Sequence, residues 1–150
     1  MGQDVSGYGF QVNVVASNTF PDGFIVTQFA DDADPFDVPS IKIAESKMGL
    51  NGDLIKWSVA TPIEISISVV PQSDDDVNLG ILLEANRVSA GKAPAKDEIS
   101  LTGIYPAGQN LTVIGGIITE GMPGTSISSA GRMKSKTYKF TFEARSGAPA

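Results

Sequence analysis

The sequence predicts an all-β domain with a single α-helix, built as a β-sandwich or as a partly closed β-barrel with the helix on its flank. Some seven or eight short apolar segments are separated by turn residues, which is typical of such folds. Only one segment carries the start signal of a helix. Cysteine and histidine are absent, so hydrophobic burial and contacts between subunits must hold the fold together without disulfides or zinc.

The size of the chain predicts one domain. Its 150 residues are enough for one domain of ordinary size and too few for two. With 41% hydrophobic and 19% charged residues, the chain is expected to fold rather than to be disordered. We expect residues 1–8 and 146–150 to be flexible ends. No apolar run approaches the ~20 residues of a membrane helix, and the N-terminus lacks the pattern of a signal peptide.

The first two predicted strands, residues 9–16 and 24–29, are apolar on both faces, with a turn at Pro21-Asp22-Gly23 between them. Strands of this kind need cover on both sides, from the rest of the domain or from a neighbouring subunit. An isolated domain would expose them, so we expect added strand pairing between subunits. The residues assigned to this hypothetical contact between subunits are Val12, Val14, Phe24, Val26 and Phe29.

A β-hairpin is predicted over residues 41–59. Its turn signal is Asn51-Gly52, a pair that suits a two-residue type I′ turn because both positions accept positive φ. Strands at 41–47 and 54–59 flank this turn. The lone Trp57 is expected to anchor either the core or an interface.

The next segment combines a strand with a helix. Alternation predicts a strand over residues 63–69, which Pro71 stops. Ser73 is the expected N-cap of a helix over residues 74–89, and aspartates at 74, 75 and 76 suit the positive end of the helix dipole. Gly91 is expected to end the helix. The residues expected to form its buried stripe are Val77, Ile81, Ala85 and Val88.

The C-terminal part of the chain predicts three more strands, at residues 98–105, 111–120 and 136–145. Gly115-Gly116 in the second of these indicates a β-bulge or a close backbone approach. In the last strand Tyr138, Phe140 and Phe142 share one face.

Charge is distributed unevenly. Residues 1–75 hold eleven acids and three bases, net −8, and residues 76–150 hold six acids and eight bases, net +2. Opposite charge at two places suits head-to-tail contact between copies of the chain, so we assign both segments to a hypothetical contact of this kind. The net charge of the whole chain, −6, argues against tight binding to the phosphate backbone of a nucleic acid. The residues of this contact are Asp31, Asp32, Asp34, Asp37, Arg132, Lys134 and Lys136.

The sequence carries little that predicts catalysis. Without histidine or cysteine, Ser-His-Asp and Cys-His nucleophiles are excluded. The acidic loop at 31–37 lacks the glycine and glutamate of an EF-hand, so a solvated loop or an interface is favoured over calcium. A carboxylate hydrolase remains an alternative, with Glu64 or Asp97-Glu98 nominated arbitrarily. We expect that the protein is not an enzyme and that it binds neither a cofactor nor a metal.

Two stretches resemble a known family. The first covers residues 48–88 and reads MGLNGDLIKWSVATPIEISISVVPQSDDDVNLGILLEANRV. The second is Gly131-Arg132 followed by a lysine-rich approach to the final strand with Tyr138, Phe140 and Phe142. Together they resemble the tail tube subunit of contractile-tailed bacteriophages, whose general layout fits most of residues 10–143.

The resemblance implies a virion structural protein, made in the host cytoplasm, whose six-membered rings stack into a hollow tube inside a contractile sheath. Its implied partners are other copies of itself, the sheath protein, and baseplate or terminator proteins. In such an assembly, the expected contact of the two-faced strands would join subunits within a ring, and the expected contact between charged segments would join stacked rings. DNA would pass through the lumen without specific binding, and no catalytic residue is implied. An initiator ring or the tube of a related injection system remains an alternative, as does a monomeric β-sandwich that binds a ligand.

Overall fold

The computed structural model describes residues 7–31 and 34–146. Residues 1–6 and 147–150, most of the ends expected to be flexible, lie outside the described residues, as do Asp32 and Ala33. Ser146 is the last residue of a strand and pairs with Thr112. The elements are β1 (Gln11–Ala16), β2 (Phe20–Val26), β3 (Phe36–Asp37), β4 (Ala44–Met48), β5 (Leu54–Ser58), β6 (Ile63–Val69), α1 (Asp74–Asn86), β7 (Ile99–Ile104), β8 (Asn110–Glu120), β9 (Lys136–Phe142) and β10 (Ala144–Ser146).

One antiparallel sheet dominates the fold. Its strand order is β2-β1-β7-β8-β9-β6-β3, with β10 paired to β8, while β4 and β5 form a separate two-stranded sheet. The large sheet does not close into a barrel, because β2 and β3 are its ends. An isolated bridge between Phe29 and Val69 joins the chain beyond β2 to β6. The prediction of an all-β fold with one helix is confirmed.

The core lies on one face of the large sheet and follows its alternation. In β6 and β9 the predicted face is buried, so that Ile65, Ile67, Tyr138 and Phe140 are inaccessible to solvent. The β1 strand alternates in the same way. The buried apolar core comprises Val12, Val14, Ala16, Val26, Ile65, Ile67, Val69, Leu79, Leu82, Ile99, Leu101, Val113, Tyr138, Phe140 and Phe142.

Two glycine-containing irregularities shape the sheet. Pro21-Asp22-Gly23, predicted as a turn, lies inside β2, where the β1–β2 register shifts between Val14 and Ala16. Proline is tolerated there because β2 is an end strand. The bulge predicted at Gly115-Gly116 is confirmed, since the β7–β8 register shifts beside it. Gly115 has φ +66°, and a Cβ on Gly116 would lie 2.2 Å from the Phe142 ring.

The hairpin forms as predicted, but its turn differs from the type I′ prediction. Met48 pairs with Leu54, and Gly49 N–H donates to Asp53 O at 2.7 Å. The loop therefore has three residues, of which Gly52 alone has positive φ, at 89°. A turn followed by one left-handed glycine is the usual three-residue hairpin loop, so Asn51 does not need the strained conformation.

The N-terminus of α1 is bound to the sheet through two buried aspartates. Ser73 caps the helix as predicted and accepts a hydrogen bond from Asp76 N–H. The Asp75 carboxylate accepts hydrogen bonds from the N–H groups of Thr27 and Gln28, both at 2.8 Å. The helix dipole alone would leave Asp75 exposed to solvent, and that expectation is wrong, because Asp75 is 5% exposed.

Asp76 makes the more extensive contacts. Its carboxylate accepts the Tyr138 hydroxyl at 2.9 Å and Gln72 N–H at 2.8 Å, and pairs with the Lys136 ammonium at 3.2 Å. Burial, together with the hydrogen bond to this carboxylate, raises the pKa of Tyr138 well above its ordinary value. The bond to Gln72 also holds a residue with φ 63°, in the left-handed region. Helix, strand β9 and the preceding turn therefore meet at one carboxylate.

The predicted helix face is wrong. Leu79 and Leu82 are buried, whereas Val77, Ile81 and Val88 are exposed and Ala85 is half-buried. Apolar residues occur on both sides of this helix, so periodicity alone does not choose between them. The inward-facing carboxylates of Asp75 and Asp76 determine which face of the helix is buried, since Leu79 and Leu82 follow them at helical spacing.

The helix also ends earlier than predicted. Its last residue is Asn86, with Arg87 as C-cap, and Gly91 lies in a later turn. The Asn86 side chain donates to buried Asp97, which also accepts hydrogen bonds from Asn18 and Thr19. Burial opposes ionisation of Asp97, but these side-chain and backbone donors outweigh it and lower its pKa. The network joins the helix end to the β1–β2 turn.

Replacing Leu79 by alanine is expected to lower the free energy of unfolding by about 2–5 kcal/mol, because it leaves a cavity in the core. Ile81→Ala is the matched control on the exposed face and is expected to cost less than about 1 kcal/mol. Urea unfolding measures both. The reverse order of effects would contradict the observed helix face.

Replacing Asp76 by alanine is expected to cost about 3–5 kcal/mol, because it leaves the buried Lys136 ammonium without its carboxylate. Asp74 is the matched control, since it is an exposed aspartate in the same helical turn. Asp74→Ala should cost less than about 1 kcal/mol, as expected of an exposed dipole contact. If thermal or urea unfolding showed the same decrease in the free energy of unfolding for both variants, the buried contacts of Asp76 would contribute nothing to stability.

Candidate interaction surfaces

The β4–β5 hairpin, with its flanking residue Ile43, exposes six large apolar side chains. All residues of its two strands are exposed except Glu45, which is half-buried. Trp57 is 47% exposed and therefore does not anchor the core. Monomeric proteins rarely expose a contiguous apolar set, so this hairpin has the character of a contact surface. Its exposed large apolar residues are Ile43, Met48, Leu50, Leu54, Ile55 and Trp57.

Both faces of the hairpin carry apolar side chains. The register places Ile55 and Trp57 opposite Lys47 and Glu45 on one face. Met48 pairs with Leu54 on the other face. Leu50, in the loop, is fully exposed. Neither face of the hairpin is wholly polar, which is typical of an element that partners cover on both sides.

A cluster of four aromatic side chains surrounds a shallow cavity of about 350 Å³. The Phe10 ring is central, with centroids 5.5 Å from Phe29, 4.8 Å from Phe36 and 5.0 Å from Tyr105. Burial raises the pKa of Tyr105. We call these four residues the aromatic cluster. Sequence reasoning missed it, because its members are distant along the chain and follow no shared period.

The acidic and basic segments predicted to join different rings meet within one subunit. Arg132 donates to Asp31 at 2.6 Å, and both side chains are exposed. This hydrogen bond from Arg132 lowers the pKa of Asp31. Asp34, Asp37 and Lys134 are exposed. Asp31 and Arg132 therefore pair with each other inside the subunit, and the contact between rings stays a prediction.

Two further predicted residues of that contact are placed differently. Asp32 lies outside the described residues. Lys136 is 8% exposed and pairs with buried Asp76, so its assignment to a surface contact is wrong. Its side chain is needed inside the fold, where its Nζ lies 6.0 Å from the Tyr138 ring centroid.

The contact predicted within a ring needs a similar correction. Val12, Val14 and Val26 are completely buried in the core of the subunit, so none of them is accessible to a neighbour. Phe24 and Phe29 are half-buried and remain available. The β1 strand also has no free edge, because β2 and β7 pair with its two sides. On the second face of β1, Asn13 and Val15 are half-buried and Gln11 is exposed.

A second cavity, of about 310 Å³, has acidic walls. Its lining includes Asp37, Glu64 and Glu120, and the last of these pairs with Lys139 at 3.3 Å. Asp97, nominated as a catalytic acid, lies buried in its structural network instead. Within residues 7–31 and 34–146, no three acidic side chains are grouped so that they could hold a metal ion. No helix in the same ranges is long and apolar enough to cross a membrane.

Comparison with known proteins places the chain in a family. Residues 3–146 match the family described as Tail fiber protein gp32. No curated protein matches the sequence. The resemblance to tail tube subunits is therefore confirmed only at the coarser level of a tail structural protein.

Two solved structures share the fold. The tube-terminating cap of the anti-feeding prophage has 14% identity and a TM-score of 0.51, with 97% of this chain and 91% of that chain covered. The sheath/tube terminator of the extracellular contractile injection system PVC, in its extended state, has 14% identity and a TM-score of 0.52, with 96% of each chain covered. At this identity the likeness shows the fold alone. Because the family match spans nearly the whole sequence, the chain belongs to the Tail fiber protein gp32 family and is a structural protein of phage-type tails.

Proposed function

We propose that this chain is the subunit of a ring that terminates the tube of a contractile tail or of a related injection system. It would act by assembly, without catalysis or a cofactor, and would be located in the particle. The observation that carries the proposal is the hairpin, whose large apolar side chains are left exposed by the fold of the single subunit. The family match and the fold shared with two tube-terminating proteins support the same class of function.

The hairpin supports assembly with other copies for an energetic reason. Burying a side chain such as that of Leu50, Leu54 or Ile55 contributes roughly 1.5–3 kcal/mol. Permanent interfaces between like subunits are the most apolar of protein interfaces. A projecting element that contacts a different surface on the next copy makes a head-to-tail contact, which closes into a ring when the rotation between copies allows it.

Six copies to a ring, an open lumen for DNA, and contact with sheath and tube proteins belong to the same proposal. The net charge of −6 supports a lumen that does not retain DNA, because like charges repel. We propose the terminating position because both structural neighbours are described as terminators. Phe24, half-buried in the end strand β2, and Phe29, half-buried in the aromatic cluster, are candidates for the contact within a ring.

A stacked tube subunit is the second candidate. The charge split between the two halves of the chain favours it, because complementary charges set the polarity of stacking. Asp31 and Arg132 already pair with each other, so Asp34, Asp37 and Lys134 are the residues of the predicted contact that remain for a neighbouring ring. Each exposed pair contributes only about 0–1 kcal/mol, and apolar contacts would supply most of the affinity.

Replacing both Ile55 and Trp57 by threonine is expected to abolish self-association and to leave stability nearly unchanged. Neither side chain belongs to the core, and threonine suits a strand. The matched control is Val77→Thr with Ile81→Thr, since Ile81 is 49% exposed against 55% for Ile55. Sedimentation velocity at micromolar concentration should show assemblies of the control and monomers of the hairpin variant. Equal assembly of both would contradict the role of the hairpin.

Electron microscopy of the purified protein distinguishes the two candidates. A terminator should form single rings, or short stacks that stop growing, at any concentration. A tube subunit should form long tubes. Monomers at every concentration would refute both candidates and would favour a ligand-binding domain.

A further inference from the structure

We propose that the aromatic cluster of one subunit is the receptor for the hairpin loop of the next subunit. This inference rests on the proposed function, because it names the two surfaces that meet in the ring. The loop supplies Leu50, which is fully exposed, with Met48 and Leu54 paired beside it. The receptor is the cavity of about 350 Å³ lined by Gly7, Phe10, Phe29, Pro35, Phe36 and Tyr105.

The base of the hairpin and the aromatic cluster lie at different ends of strand β6. Phe36 pairs with Ile67 and Phe29 bridges to Val69, so the aromatic cluster adjoins the end of β6. The hairpin enters β6 at its first residue, Ile63. Four to six strand residues separate these points, which is about 13–20 Å along the strand. A projection at one end and a cavity at the other form a head-to-tail pair.

The cavity is not covered by the hairpin of its own subunit. None of the described residues that line it belongs to the segment 41–59. Its lining is mostly aromatic, and three rings lie within 5.5 Å of the Phe10 centroid. Such a surface suits an aliphatic side chain, because burial of apolar area is its main source of affinity.

Charge complementarity favours the same pairing. Asp34 and Asp37 are exposed and flank the lining residues Pro35 and Phe36. On the hairpin, Lys47 and Lys56 are exposed, and neither forms an ion pair with any residue in the described ranges. Residues 41–59 hold three lysines and two acids, Glu45 and the exposed Asp53, which leaves a net charge of +1. Docking the loop into the cavity would bring these cations towards an acidic rim, which favours the correct register between copies.

Disulfide trapping tests the contact, because the chain contains no cysteine of its own. Leu50→Cys and Pro35→Cys are introduced into separate chains, which are mixed and mildly oxidised. Pro35 is exposed and lines the cavity, and its carbonyl, which accepts a hydrogen bond from Ser68, is kept in the variant. Two thiols that are held together by docking have an effective concentration in the millimolar range. The disulfide between Leu50→Cys and Pro35→Cys should therefore form at least about tenfold faster than the disulfide between Leu50→Cys and a control partner.

The control partner is Val88→Cys, because Val88 is exposed and lies beyond the helix, outside both surfaces. If electron microscopy shows rings but Leu50→Cys reacts equally with both partners, the receptor is wrong and the proposed function stands. If no assembly forms at any concentration, the proposed function and this inference both fail.

A third arm tests a different occupant of the cavity. Gly7 lines the cavity, so the residues that precede it in the sequence are the other candidate to fill it. A chain that carries both Val5→Cys and Pro35→Cys tests whether this segment fills the cavity. A disulfide that forms within this chain in assembled rings would overturn the hairpin as the occupant, whereas free thiols at position 5 would support it.

Discussion

Two buried carboxylates at the start of the helix hold the fold together. Asp75 binds the backbone of the segment after β2, and Asp76 binds Tyr138 and Lys136 of β9. Charges are buried only when they are paired and hydrogen-bonded, so these contacts specify one position and one rotation of the helix. Leu79 and Leu82 are consequently placed in the core.

The hairpin lies outside the apolar core that contains this helix. Once the helix is fixed against the sheet, the apolar core is complete with residues of β1, β2, β6, β7, β8, β9 and α1, and no hairpin residue takes part in it. The apolar residues of β4 and β5 therefore do not stabilise the isolated subunit. Burial in an assembly gives a physical reason for their presence, since exposed apolar strands favour aggregation unless a partner covers them.

Much of the fold could be predicted from the sequence wherever the local signal had one interpretation. Alternation in β6 and β9, the Ser73 cap and the bulge at Gly115-Gly116 are determined by nearby residues, and the structure confirms them. The helix face could not be predicted, because the partners of Asp75 and Asp76 lie some 50 to 60 residues away in the chain.

The candidate surfaces were harder to predict than the fold. Alternation shows that a strand has an apolar face, but it does not show whether its own domain or another copy covers that face. Val12 and Val14 are covered within the subunit, whereas Ile55 and Trp57 are exposed, although both pairs lie on strands with apolar residues. The aromatic cluster depends on tertiary contacts between Phe10, Phe36 and Tyr105, which no local pattern encodes.

Amide hydrogen exchange of assembled and dissociated protein tests most directly whether the hairpin is the assembly element. The account predicts that residues 44–58 exchange quickly in the monomer and become strongly protected on assembly. The exposed face of the helix, with Val77 and Ile81, should exchange at the same rate in both states. Hairpin exchange that stays equally fast in assembled rings would contradict the account.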